Sequence, residues 1–229
     1  MDYTLINYGL PLLGLIITSI AQLLITSSYS KYKKVNTQSR KYGYDVAREI
    51  LNKNGLNSVN IEQVAGNLTD HYDPTTKTVR LSADIYSGTS IASVSVAAHE
   101  CGHAIQDKEG YTPMLMRSKL VPIVNFATKI GYIAIAIGLI IGALKIAKVG
   151  IIMLLSMLLF QLITLPVEFD ASRRGKRELK ELSILNDQEQ GGSSTMLRAA
   201  AFTYVASVLS TLLQILRLFL MISSRRNRH

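Results

Sequence analysis

The sequence predicts a mainly α-helical membrane protein with about four transmembrane helices and a small α+β domain. Three observations predict it. Four long runs, residues 3–29, 120–144, 149–167 and 199–222, carry almost no charge, and a bilayer core needs about 20 residues of apolar helix. One long polar segment, residues 30–118, separates the first run from the second. Inside that segment His99-Glu100-Cys101-Gly102-His103 is flanked by Val94, Val96, Ala97, Ala98, Ala104 and Ile105, the surroundings of a buried helix.

Composition alone is ordinary: 48% of residues are hydrophobic, close to average usage. Their segregation into runs separates this chain from a soluble globular protein. The net charge of +9 sits around the apolar runs, as the positive-inside rule expects, and no aromatic platform accompanies it, which argues against nucleic acid. A single cysteine, Cys101, excludes an intrachain disulfide.

The first run is too long for a signal peptide and lacks a positive leader, since Asp2 precedes it. Lys31, Lys33 and Lys34 follow it, which places the N-terminus outside and residue 31 in the cytoplasm. The second run holds one charge, Lys129, and Lys145 and Lys148 mark a short turn before the third. The third is uncharged up to Glu168, where a polar segment, 168–198, begins. Four spans put 30–118 and 168–198 in the cytoplasm. The tail Arg225-Arg226-Asn227-Arg228 then lies outside, against the rule. An interfacial fourth helix with Arg217 reaching to the surface removes that conflict.

Within the polar segment, residues 39–54 have helical spacing and Gly55 ends them. Residues 56–83 read as extended, and Asp73-Pro74-Thr75-Thr76 makes 68–82 a hairpin. Ser87-Gly88-Thr89-Ser90 caps a helix over 90–108, which Gly110 and Pro113 stop.

That helix carries the chemistry. Positions i and i+4 share a face, so His99 and His103 can aim two imidazoles at one point, a nitrogen donor set that suits Zn²⁺. Glu100 lies about 100° further round, beside the metal and able to take a proton from water. Cys101 points elsewhere and reads as packing. Gly102 allows another segment to approach. A catalytic zinc needs a third protein ligand. Two spans separate His103 from Glu168, so the chain returns to the same side there, and Asp170 is close behind. On a helix those two carboxylates point about 200° apart, so only one can ligate.

His99-Glu-Cys-Gly-His-Ala-Ile-Gln106, Tyr72-Asp-Pro-Thr-Thr-Lys-Thr-Val-Arg-Leu-Ser82, Pro166-Val-Glu-Phe-Asp-Ala-Ser172 and Ala200-Ala-Phe-Thr-Tyr-Val-Ala206 together resemble the YugP-type neutral zinc metallopeptidases of bacterial membranes, a gluzincin-like group. The likeness covers nearly the whole chain. It implies a zinc-dependent, multi-pass peptidase of the bacterial cell membrane, with a zincin-like domain at the cytoplasmic face. More distantly, Glu168-Phe-x-Ala171 is similar to the Glu-x-x-Ala-Asp element of HtpX-type and CAAX-processing proteases, which implies Glu168 as the third ligand. Ser172 stands where those families have Asp, so Asp170 or Ser172 is left to fill that role.

The expected reaction is peptide hydrolysis at zinc on His99, His103 and Glu168, with Glu100 as general base. Val79, Arg80 and Leu81 are the expected substrate strand, binding a peptide by β-augmentation. Asp170, His71, Tyr204 and Arg174, with Tyr72 and Tyr86, are candidates to support the ligands or a developing oxyanion. The expected partners are a protein substrate and the lipid bilayer. A zinc-stabilised membrane scaffold is the alternative, and it has no need of Glu100. A transporter ranks last, because the third run has no ionisable group at its centre.

Overall fold

Apolar runs longer than a bilayer core have to satisfy their backbone polar groups internally, and a helix does so within one segment. The structure, a computed structural model, describes residues 4–226, with side chains as far as residue 223. Asp2, Tyr3 and the tail Asn227–His229 lie outside the described residues, and the Arg225 and Arg226 side chains are not described. A π-helical turn, Leu5–Gly9, leads into α1 (Leu10–Tyr32). There follow α2 (Gly43–Lys53), β1 (Asn60–Val64), β2 (His71–Asp73), β3 (Thr78–Ser82), α3 (Ala83–Tyr86) and α4 (Ile91–Lys108). Three long helices complete the chain: α5 (Thr112–Ile140), α6 (Leu144–Glu181) and α7 (Asp187–Arg226).

Among the described residues four helical stretches are long and apolar enough to cross a membrane: Leu5–Tyr32, Thr112–Ile140, Leu144–Glu181 and Asp187–Ser223. Two local readings of the sequence change. The turn between the second and third apolar runs is at 141–143, where Gly142 takes φ +75°; Lys145 and Lys148 are already in α6. The polar segment 168–198 is mostly helix, divided between the end of α6 and the start of α7.

The chain divides into two compact units. The first comprises residues up to Gln22, Met116–Leu165 and Phe202 onward. Its core is Ile135, Ala147, Ile151, Leu154, Ile215, Leu218 and Ile222. Here α5 and α6 pack at backbone distance: a Cβ on Gly150 would sit 2.6 Å from the Gly131 carbonyl oxygen, and one on Gly138 2.5 Å from the Ala147 nitrogen. Small residues at such crossings are how apolar helices gain contact where no hydrophobic force drives them together.

The second unit, Leu23–Leu115 with Pro166–Ala201, is built around α4. Ser90 caps that helix by accepting from the Ser93 amide (3.1 Å), and Gly110, at φ +65°, follows its end. Val94, Ala97, Ala98, Cys101, Ala104 and Ile105 bury one side of α4 against Val46, Ala47, Ile50 and Leu51 of α2 and Val79 and Leu81 of β3. Cys101 is enclosed, its thiol directed at the Ala47 carbonyl.

The three-stranded sheet has the order β1-β3-β2, with β1 parallel and β2 antiparallel to β3. This corrects the expected substrate strand. Val79, Arg80 and Leu81 lie in the central strand, paired with Ile61, Glu62 and Gln63 on one side, and Val79 and Arg80 with Tyr72 and His71 on the other. At the end of β3 the Ser82 amide is held by Asp70 (2.7 Å). Val79 and Arg80, paired on both sides, have no free main-chain edge to offer a peptide. The free edges belong to β1 and β2.

The β2–β3 turn is tied by Asp73. Its carboxylate accepts from Arg80 Nη1 (2.8 Å), the Thr76 hydroxyl (2.8 Å) and the Thr75 amide (2.9 Å). The Arg80 bond, first among these, holds the Asp73 carboxyl well below the usual carboxylate range. A lowered folded-state value means that the carboxylate's contribution is full above the unfolded value of about 3.9 and is lost as pH falls through the folded one. Asp73→Asn should therefore lower the thermal midpoint near neutral pH, and the gap from wild type should close as pH drops well below about 4. Parallel melting curves across that range check this, and a gap of constant size would refute it.

Candidate metal centre

The centre begins with a helix crossing. A Cβ on Gly102 of α4 would lie 2.4 Å from the Ala171 carbonyl oxygen of α6, and one on Gly175 of α6 would lie 2.7 Å from the Ala98 carbonyl oxygen of α4. No side chain fits at either position, so two backbones come together where glycine faces backbone. Glu168 is one turn before Ala171 on α6, and His99 and His103 are on the facing side of α4.

The three side chains converge. His99 Nε2 is 3.3 Å and His103 Nε2 3.6 Å from Glu168 Oε2, and one ligand atom from each of the three lies within 4.8 Å of the others. The imidazole rings stand edge to face, 4.8 Å between centroids and 82° between planes. Two ligands on a tetrahedral zinc at about 2.0–2.1 Å are roughly 3.3–3.4 Å apart. The observed nitrogen-to-oxygen distances are close to that edge length, and the donor set of two imidazoles and a carboxylate is one that zinc takes. These residues fit the metal.

Each imidazole is held on its other nitrogen. His99 Nδ1 lies 3.1 Å from the Ser172 hydroxyl, and His103 Nδ1 donates to Gln106 Oε1 (3.0 Å). Such outer bonds orient metal-binding histidines. Of the two residues left open for this task, Ser172 meets a histidine directly, and Asp170 reaches one only through Gln106, from whose amide it accepts (2.9 Å). Gln106 was not singled out from the sequence. Its signal was its position, one turn beyond His103 on a buried face.

Glu100 is buried on the same helix. Burial pushes its carboxyl up to about 7, against the pull of His99 beside it; Glu168 and Asp70 push the same way as burial, and the Tyr72 backbone N–H donates to it. The outer edge of β2 thus touches the site at Tyr72. Desolvation likewise pushes Asp70 up, although the Ser82 amide and hydroxyl bond to it.

The remaining candidates are elsewhere. Asp170 pairs with Arg173 and Arg174 and contributes no atom to the converging group. Arg174 also bonds Glu109 (2.6 Å) and lies over the Tyr111 ring (5.9 Å). His71 is exposed and donates from Nδ1 to its own turn at the Thr69 carbonyl (2.8 Å). Tyr86 packs on Tyr44, ring centroids 5.0 Å apart. Tyr204 is half-buried in the α7 portion of the first unit.

Residues 8–223 match the family model described as "Putative neutral zinc metallopeptidase". The chain belongs to that family. It is 43% identical over 209 residues to the "Putative membrane protease YugP" of Bacillus subtilis (strain 168), an alignment that covers 91% of this chain and 93% of that protein. No solved structure matches it. The family description names the metal for which the His99, His103 and Glu168 donor set is suited.

The crossing geometry makes a prediction for this family member. Gly102→Ala, and more so Gly175→Val, should separate α4 from α6 and weaken zinc binding about 10-fold or more, while the helical circular dichroism persists. Titration with a chromophoric chelator measures it; unchanged affinity in both variants would mean that the crossing does not set the ligand spacing.

Proposed function

We propose that the protein is a membrane-bound zinc endopeptidase that hydrolyses peptide bonds of membrane or membrane-associated proteins, with Glu100 as general base. The observation that carries this reading is the convergence of His99, His103 and Glu168 with the buried Glu100 carboxyl beside them. His99, His103 and Glu168 would hold the ion. Zinc, when bound, would polarise the scissile carbonyl and make water a better acid.

The chain's own residues supply the rest. Glu100 takes a proton from water and returns it to the leaving amine. A carboxyl lifted to about 7 by burial is matched to both transfers near neutral pH. The Tyr72 N–H favours the charged form of that carboxylate, against the effect of burial. The polar segment 30–118, completed by 168–198, is the zincin-like part, and the apolar runs 3–29, 120–144, 149–167 and 199–222 anchor it. Glu168 follows directly on an uncharged run, which favours substrates presented at the bilayer surface. Lysines 31, 33 and 34 after the first run favour the cytoplasmic face.

Two variants test the reading. Glu100→Gln should retain zinc and lose at least about 100-fold in cleavage of an unstructured protein. Glu168→Gln should lose the zinc itself, read by metal analysis of purified protein. Cleavage that survives in Glu100→Gln would sink the general-base assignment, and zinc retained without cleavage in wild type would leave the scaffold reading in its place.

A further inference from the structure

Gln106 is completely buried, and its amide sits among groups that leave it one orientation. Nε2 donates to the Val167 carbonyl (2.8 Å) and to Asp170 Oδ2 (2.9 Å). A backbone carbonyl and an ion-paired carboxylate can only accept. Turning the amide over would set its oxygen against both. Oε1 is therefore committed to His103 Nδ1 at 3.0 Å, and being an acceptor it requires the proton of that ring on Nδ1. The lone pair is left on Nε2, the atom that faces Glu168.

His99 has no such constraint. Its Nδ1 meets the Ser172 hydroxyl, which can donate or accept by rotating. The two histidines are thus supported unequally. The support of His103 also extends further. Asp170 is 6% exposed and is held by Arg173 and Arg174, and Arg174 in turn bonds Glu109 beyond the end of α4. The sequence Arg174, Asp170, Gln106, His103 connects a surface ion pair to the imidazole of a candidate ligand, at the nitrogen away from Glu168.

We propose that Gln106 is the positioning residue that fixes His103 for metal binding, and that Asp170 acts through it, so that zinc affinity depends on a carboxylate that does not touch the metal. This rests on the metal-binding part of the proposed function and is independent of hydrolysis. Asp170 enters as the group that selects the amide orientation, in place of a third or fourth ligand.

The test uses the full chain in detergent, freed of metal, with the zinc dissociation constant measured by chelator competition and the melting of the metal-free form measured beside it. Gln106→Glu faces a carboxylate with the Asp170 carboxylate and should weaken zinc about 10- to 100-fold. Asp170→Asn removes the charge that orients the amide and should weaken it about 10-fold. The double variant Gln106→Glu/Asp170→Asn restores one carboxylate and one amide with their places exchanged. The introduced carboxylate can accept from both His103 and the new amide, although it faces the Val167 carbonyl, so affinity should rise above that of Gln106→Glu alone without reaching wild type. Recovery supports the proposal, because a purely structural role predicts losses that add. Additive losses overturn it, as does an affinity in both single variants within about twofold of wild type. If Gln106→Glu alone does not fold, the double variant is compared with Asp170→Asn: an affinity equal to or above that of Asp170→Asn supports the proposal, and a further loss overturns it. The readout is affinity, so a wild-type protein that binds zinc and cleaves nothing overturns the catalytic reading and leaves this one to the ratio of constants. A wild type that binds no zinc overturns both.

Discussion

Gly102 and Gly175 let the α4 and α6 backbones meet where one methyl group on either would collide with a carbonyl, and the ligand distances follow from that contact. Helices that cross with ordinary side chains between them stay about 8–10 Å apart. At such separation a glutamate on one helix and two histidines on the other would need extended rotamers to share an ion. The glycines shorten the gap, so short and buried side chains suffice. Packing density then preserves the arrangement, because a well-filled interior moves as a body.

Close approach also buries charge, and each buried carboxylate of this unit has been given a partner. Glu178 receives Lys53 (2.9 Å); Asp170 receives Gln106 and two arginines; Glu168 faces two imidazoles. Glu100 is the exception in degree, with one backbone N–H and strong desolvation. It is this difference between Glu100 and its compensated neighbours on which the proposed general-base role rests.

What the sequence revealed followed the range of the interactions. The motif helix was legible because its signals are local: a serine cap at Ser90, apolar spacing, and Gly110 at the end. The four apolar runs were legible because length and lack of charge suffice. Counting spans returned the chain to the side of the histidines at Glu168 and Asp170, the resemblance to related proteases pointed to Glu168, and it does come to the histidines. The place of β3 was not legible. Thr78-Val-Arg-Leu-Ser82 alternates like a half-exposed edge, yet its flanking residues are buried too, since β1, from well before the hairpin, pairs with its far side. The turn at 141–143 carries no polar residue to mark it. Gln106 looked like an ordinary residue in the last turn of a helix, because the groups that give it meaning, Val167 and Asp170, lie more than sixty positions away.

The ligands of the candidate centre are divided between a helix made early and a helix made late. As the chain leaves the ribosome, His99 and His103 emerge well before Glu168, and the α4–α6 crossing cannot form until residues as far as Gly175 have followed. A three-ligand centre is therefore inaccessible to the growing polypeptide. Assembly in that order means that the three-residue centre is completed only after α4 and the sheet beside it have been synthesised.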